Sequence, residues 1–131
     1  KHSGARSNNV EIIDIPVTLF DYLGISQPDW MTGTSILSDE PPANRNIISI
    51  TGGSPKKTVP PFYQIKTVQV IVCQKWYALN VQDNTWKSGL VKGHTAPCAE
   101  NTLPSDAEIR QMILDYLNRH GYDTSSFPAF Q

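Results

Sequence analysis

The sequence predicts an α+β fold: a small antiparallel sheet of three to four strands, with a helix before it and a covering amphipathic helix after it. Three observations predict it. The chain opens on "VEIIDIPVTLFDYLGI", which has the apolar spacing of a helix; from Asn46 the hydrophobic period becomes that of strands; and the last third carries a one-sided helical stripe behind a capping box. At 131 residues the chain is long enough for one core and too short for two ordinary domains. It is read as a single domain, with a helix and ordered loop over residues 1–44 and a small sheet plus closing helix over residues 45–131.

Asp14 and Pro16 mark the start of the first helix, because proline is tolerated where its missing N–H costs nothing and an acid there complements the helix dipole. Val17, Leu19, Phe20 and Leu23 supply the apolar stripe, and Gly24 is placed to close the helix in the left-handed conformation. "SQPDWMTGTSILSDEPPANR" is rich in turn formers and reads as an ordered loop anchored by Trp30, Met31, Ile36 and Leu37. "NIISIT" is a short strand and "GGSPKKTVPP" a basic connection. "FYQIKTVQVIVC" and "KWYALNV" make an antiparallel pair around a tight turn at Cys73 to Lys75, and after the turn "QDNT" a further strand, "TWKSGLV", completes a meander. Lys92 to Thr102 reads as loop.

Ser105 and Glu108 have the spacing of a capping box, with Leu103 and Ile109 placed as a hydrophobic staple. Ile109, Met112, Ile113, Tyr116 and Leu117 then follow the period of a helix with one apolar side, stopped by Gly121. Such a stripe covers a sheet face, and the aromatic tail "YDTSSFPAFQ" is expected to dock.

The formal net charge of −1, with no long run of either sign, disfavours nucleic acid and anionic membrane as partners. No run approaches the roughly 20 apolar residues that span a bilayer, and the opening residues lack the pattern of a signal peptide. Nucleotide loops, serine elbows, zinc-protease helices and paired close cysteines are also missing. No catalytic or metal-ligating set is therefore assigned within the chain. His120 at a helix end complements the dipole. His94 with Lys92, and the pair Lys56 and Lys57, read as solvated loop residues. Asp39 and Glu40 are adjacent and cannot flank a substrate from one face, and Trp76, Tyr77 and Trp86 read as core or cross-strand partners. His2 and Arg6, with Lys1, are the candidate substrate-binding residues, since cationic and imidazole groups suit an anionic ester; the commoner fate of such a segment is a frayed terminus. Cys73 and Cys98 are too few for a zinc framework and leave two readings open, a disulfide or a buried and an exposed thiol.

The opening stretch, followed by "QPDWMTGTSIL", resembles the C-terminal region of the sulfatase family within the alkaline phosphatase superfamily. The family pattern is an Asp, two residues and Pro-Thr-Leu, then a helix ending in Gly-Ile, then Asp-Gly-x-Ser-Leu-Leu. Asp14, Thr18, Leu19, Gly24 and Ile25 fall in register with the first piece, and Gly33, Ser35, Ile36 and Leu37 with the second. Pro16 stands one place early, Thr32 replaces the usual Asp, and the leucine-tyrosine-aspartate ending of many sulfatases is missing. The later strands and final helix are similar to the family's small C-terminal sheet by order of elements.

The resemblance implies the C-terminal part of an alkaline-phosphatase-like α/β enzyme, a hydrolase or transferase of sulfate or phosphate esters. The preceding catalytic domain would supply the nucleophile and a divalent metal (calcium, zinc or manganese), and this chain would cap it and be inactive alone. It also implies an extracytoplasmic parent, whether periplasmic, secreted or membrane-anchored. The first helix would then lie against that domain, and a chain deprived of it would dimerise or displace the helix. The alternative is a free-standing α+β binding module that recognises a glycan or a protein through loops around Lys56 or His94.

Overall fold

The computed structural model describes residues 8–38, 45–53, 64–92 and 103–131. They form an α+β fold: helix α1 (Asp14–Tyr22), strands β1 (Ile47–Gly53), β2 (Gln64–Val72), β3 (Lys75–Asn80) and β4 (Thr85–Leu90), helix α2 (Asp106–Arg119) and a final 3-10 turn (Pro128–Phe130). The four strands make one antiparallel sheet in the order β1-β2-β3-β4.

The register puts apolar residues in rows on one face. Ile48, Val70 and Tyr77 stand side by side, and Ile50, Val68, Leu79 and Trp86 form the next row. One irregularity extends that face. The pairing passes from Thr51 opposite Thr67 to Gly52 opposite Ile65, so Lys66 is an extra residue in β2. The bulge reverses the alternation and delivers Ile65 to the core side.

Two turns connect the meander. Cys73 and Gln74 join Val72 to Lys75, and Cys73 adopts a φ of +53°, the left-handed conformation that lets a two-residue hairpin follow the strand twist. In the second turn Asn84 adopts φ +56°, a region that asparagine tolerates, while Asp83 accepts the Thr85 N–H at 2.9 Å.

α2 covers the apolar face with Ile109, Ile113 and Leu117, all fully buried against Val68, Val70, Tyr77 and Leu79. Met112 and Tyr116 flank this stripe half-buried. Ser105 and Glu108 form the capping box, whereas Leu103 stays exposed and closes no apolar lid over it. The tail docks: Tyr122, Phe127, Ala129 and Phe130 pack on the core edge, and the Ala129 N–H reaches the carbonyl of Val81. On the opposite sheet face the indole of Trp76 lies over Gly89, where a Cβ would meet it at 2.9 Å.

Both helices end in the same device. Gly24 at φ +68° and Gly121 at φ +76° reverse the chain, with Ile25 N–H donating to Phe20 and Tyr122 N–H donating to Leu117 six residues around the turn. The loop after α1 departs from expectation. Trp30 and Ile36 are exposed rather than anchors, because the loop is held by hydrogen bonds to α1 instead of by apolar burial.

Candidate functional site

Among the described residues α1 adds nothing to the main apolar cluster, which consists of residues from the sheet and its turns, α2 and the tail; its one buried apolar side chain, Val17, lies apart from it. A polar clasp holds it instead. Asp14, Thr18 and Asp21 recur at the spacing that puts side chains on one side of a helix, and each meets the loop that returns past it. The carboxylate of Asp14 accepts the Thr34 N–H at 2.8 Å, Thr18 Oγ1 accepts the Ile36 N–H at 3.0 Å, and Ser35 donates its hydroxyl proton to Asp21. Val17 is buried between them against Gly33.

Gly33 is sterically required. A Cβ there would lie 2.1 Å from the carbonyl oxygen of Ile13 and 2.9 Å from Val17 Cγ2. No side chain fits between loop and helix at that point.

The clasp is tied to the sheet through Arg45, just before β1. Its Nη1 donates to both carboxylate oxygens of Asp14 at 2.7 and 2.8 Å, and its Nη2 pairs with Glu11. Asn9 adds a second tie, donating to the backbone carbonyls of Arg45 and Cys73, both at 3.2 Å. Asp14 is 2 % exposed. Burial works against its charge, but the Arg45 guanidinium and the N–H groups of Glu11 and Thr34 outweigh it and hold the carboxyl below the ordinary carboxylate value.

These groups are consumed by one another. Glu11 and Asp14 are both paired with Arg45, whose positive charge stands between them. Among the described residues no group of three His, Cys, Asp or Glu side chains could hold a metal ion. An open groove of about 380 Å³ runs between α2 and β1 over Ile48, Met112 and Tyr116. Its carboxylates are likewise engaged, Glu108 by Ser105 and Asp115 by Gln111 at 2.8 Å. It offers no convergent catalytic pair.

What the clasp leaves outward is apolar. Ile12, Ile15, Leu19 and Tyr22 form a second stripe along α1, extended by Leu23 and Ile25, and Trp30 stands 78 % exposed in the next loop.

Of the residues singled out in the sequence, His2, Arg6, Lys56, Lys57, His94 and Cys98 lie outside the described residues. Cys73 is disulfide-bonded. His120 caps α2 with its ring 4.4 Å from that of Tyr116. Arg45 escaped the sequence reading, since it lies 31 residues from Asp14 and belongs to no local pattern. One signal pointed to it: Asn8 to Ser38 contains four acids and no Lys, Arg or His, so a buried Asp14 had to take its cation from elsewhere. The chain matches no protein-family model and has no significant match among curated proteins.

Proposed function

We propose that this chain is the C-terminal subdomain of a sulfatase-like hydrolase or transferase of sulfate or phosphate esters, and that it caps a catalytic domain without being active alone. One observation carries the reading. Of the nine residues on which the family resemblance rests, Asp14, Thr18, Gly33, Ser35 and Ile36 interlock α1 with its loop and Gly24 closes the helix, while Leu19 and Ile25 stay exposed. Two short pieces separated in sequence thus form one structural unit, as a motif does when its role is architectural.

The chemistry is divided accordingly. Attack on sulfur or phosphorus needs an activated nucleophile and positive charge around the departing oxygens, and a divalent metal supplies part of that charge where one is bound. The acids of the clasp do not fit such an ion, because Arg45 pairs with Glu11 and Asp14, and Asp21 accepts the Ser35 hydroxyl. The metal and the nucleophile belong to the catalytic domain in this reading, and the chain's part is to shape the cleft from the side. An extracytoplasmic parent is favoured by the disulfide of Cys73, since such bonds persist chiefly in oxidising compartments.

The reading frame upstream of Lys1 tests this. A region of several hundred residues with alternating strands and helices and a Cys, Ser or Thr nucleophile signature supports it. A start codon or a signal peptide immediately before Lys1 overturns it and favours a free-standing binding module.

A further inference from the structure

β1 is an outer strand of the sheet, and the alternation of hydrogen bonds shows which of its backbone groups face outward. The Val91 N–H donates to the carbonyl of Gln74 and the Val81 N–H to that of Lys66, so even-numbered residues of β3 bond towards β4 and odd-numbered ones towards β2. Tyr77 and Leu79 therefore bond to Val70 and Val68, which leaves Gln69 and Ile71 to bond to Ser49 and Ile47 of β1. The N–H and C=O groups of Ile48 and Ile50 point away from the sheet, and among the described residues none of the four meets a hydrogen-bond partner. Natural sheets guard such an edge with charge or proline. β1, "IISITGG", has neither, whereas β4, the other outer strand, carries Lys87.

Beside that edge lies the groove between β1 and α2. Ile48 turns its side chain to the α2 face, where with Met112 and Tyr116 it forms an apolar floor in a space of about 380 Å³. The rim carries Glu108 and Asp115, whose hydrogen-bond partners Ser105 and Gln111 are neutral, and Arg119 at the end of α2. Two anions thus stand against one cation, and none of the three is in a salt bridge among the described residues. A strand laid antiparallel on β1 sets alternate side chains on this face, so that the backbone edge supplies affinity and the groove supplies selectivity. The residue opposite Ile48 enters the groove, and those two places to either side reach its rim.

We infer that β1 and this groove accept an extended segment of a partner protein, with an apolar residue opposite Ile48 and Lys or Arg two residues to either side. The inference does not rest on the function proposed above. Pairing satisfies the outward N–H and C=O groups of Ile48 and Ile50, and the apolar residue covers the floor made by Ile48, Met112 and Tyr116. The basic side chains lay their aliphatic stems along that floor and bring their charge to Glu108 and Asp115. A second copy of this chain fits less well. β1 laid against β1 offers Ile48 and Ile50 on the α2 face and no cation, so the floor is filled and the acids of the rim stay unmatched.

Amide hydrogen exchange with a defined peptide, acetyl-Thr-Lys-Thr-Val-Thr-Lys-Thr-amide, tests the inference on the isolated chain and on the polypeptide translated from the complete reading frame. Without peptide, the amides of Ile48 and Ile50 should exchange fast in both and that of Ser49 slowly, as the alternation requires. Saturating peptide should slow Ile48 and Ile50 by about tenfold or more and leave Val70 unchanged. Methylating the nitrogen of the central valine, which keeps the side chain but removes the N–H that faces β1, should weaken binding about tenfold, and so should Glu in place of both Lys. Asp115→Lys, at an exposed position, should weaken the Lys peptide by a similar factor. Slow exchange at Ile48 and Ile50 before peptide is added overturns the inference: if it grows with concentration it assigns the edge to a second copy, and if it occurs only in the complete polypeptide it assigns the edge to the rest of that polypeptide. Equal binding of the Lys and Glu peptides, indifference to the N-methyl group, or no binding at about 1 mM peptide overturns it as well.

Discussion

Replacing Gly33 by Ala probes the clasp at its tightest point. The new Cβ would sit 2.1 Å from the carbonyl oxygen and 2.7 Å from the carbonyl carbon of Ile13, and 2.9 Å from Val17 Cγ2. The carbonyl belongs to the backbone that begins α1 and cannot rotate away, so the loop must withdraw by about 1 Å to restore ordinary contact. At that displacement the 2.8 Å bond from Thr34 N–H to the Asp14 carboxylate and the 3.0 Å bond from Ile36 N–H to Thr18 are both lost. A hydrogen bond to a charged group contributes about 1.5–3 kcal/mol and a neutral one about 1 kcal/mol, against which the stiffer unfolded chain of an Ala variant returns about 0.5 kcal/mol. The net cost is about 3 kcal/mol, or roughly 100-fold in the opening equilibrium of the clasp. Amide hydrogen exchange reads this directly. Protection at Thr34 and Ile36 should fall by about that factor, while Val68 and Val70, in the main cluster that holds no α1 residue, should be unaffected. Unchanged protection at Thr34 and Ile36 would refute the steric argument, and an equal fall at Val70 would refute the separation of the clasp from the core.

Ile113→Ala removes a fully buried side chain from the centre of the α2 stripe and should cost about 2–4 kcal/mol, read as a fall in the urea midpoint; an unchanged midpoint would show that α2 does not cover the sheet. Asp14 is held below its ordinary value of 3.8, so its contribution is complete above that pH and is lost as pH falls through the folded value. Asp14→Asn leaves Glu11 as the remaining ion partner of the partly buried Arg45 and should weaken Thr34 protection by about 2 kcal/mol at pH 7, a gap to wild type that closes below pH 3.8; a gap independent of pH would remove the charge from the explanation. The disulfide of Cys73 restricts the unfolded state, so reduction should cost about 3 kcal/mol, and Cys73→Ser should cost the same without reductant. A midpoint insensitive to both would refute a stabilising role for the bond.

The sheet and its cover were legible because each element declares itself locally. The alternation of "TVQVIV" survives as the row structure of β2, the capping box at Ser105 and Glu108 forms as written, and Gly24 and Gly121 close their helices at the expected places. The bulge at Lys66 was not legible, since an extra residue in one strand is a property of the pair. The clasp was half legible. Asp14, Thr18, Gly33 and Ser35 stood out by resemblance, but the resemblance gave no contact, and Arg45 was missed because an ion pair across 31 residues leaves no period in the chain, only the lack of any cation over residues 8–38. Trp30 was misread because a large apolar side chain in an ordered loop suggests burial, and here the loop's hydrogen bonds to α1 leave it exposed.

Turnover of 4-nitrophenyl sulfate and 4-nitrophenyl phosphate measures most directly where the chemistry resides, with the isolated chain and the complete translated polypeptide assayed side by side in calcium, zinc and manganese. Turnover of one ester by the complete polypeptide and none by the isolated chain is the predicted result. Metal-stimulated turnover that stays with the isolated chain through repurification would contradict it, as would a complete polypeptide inert towards both esters.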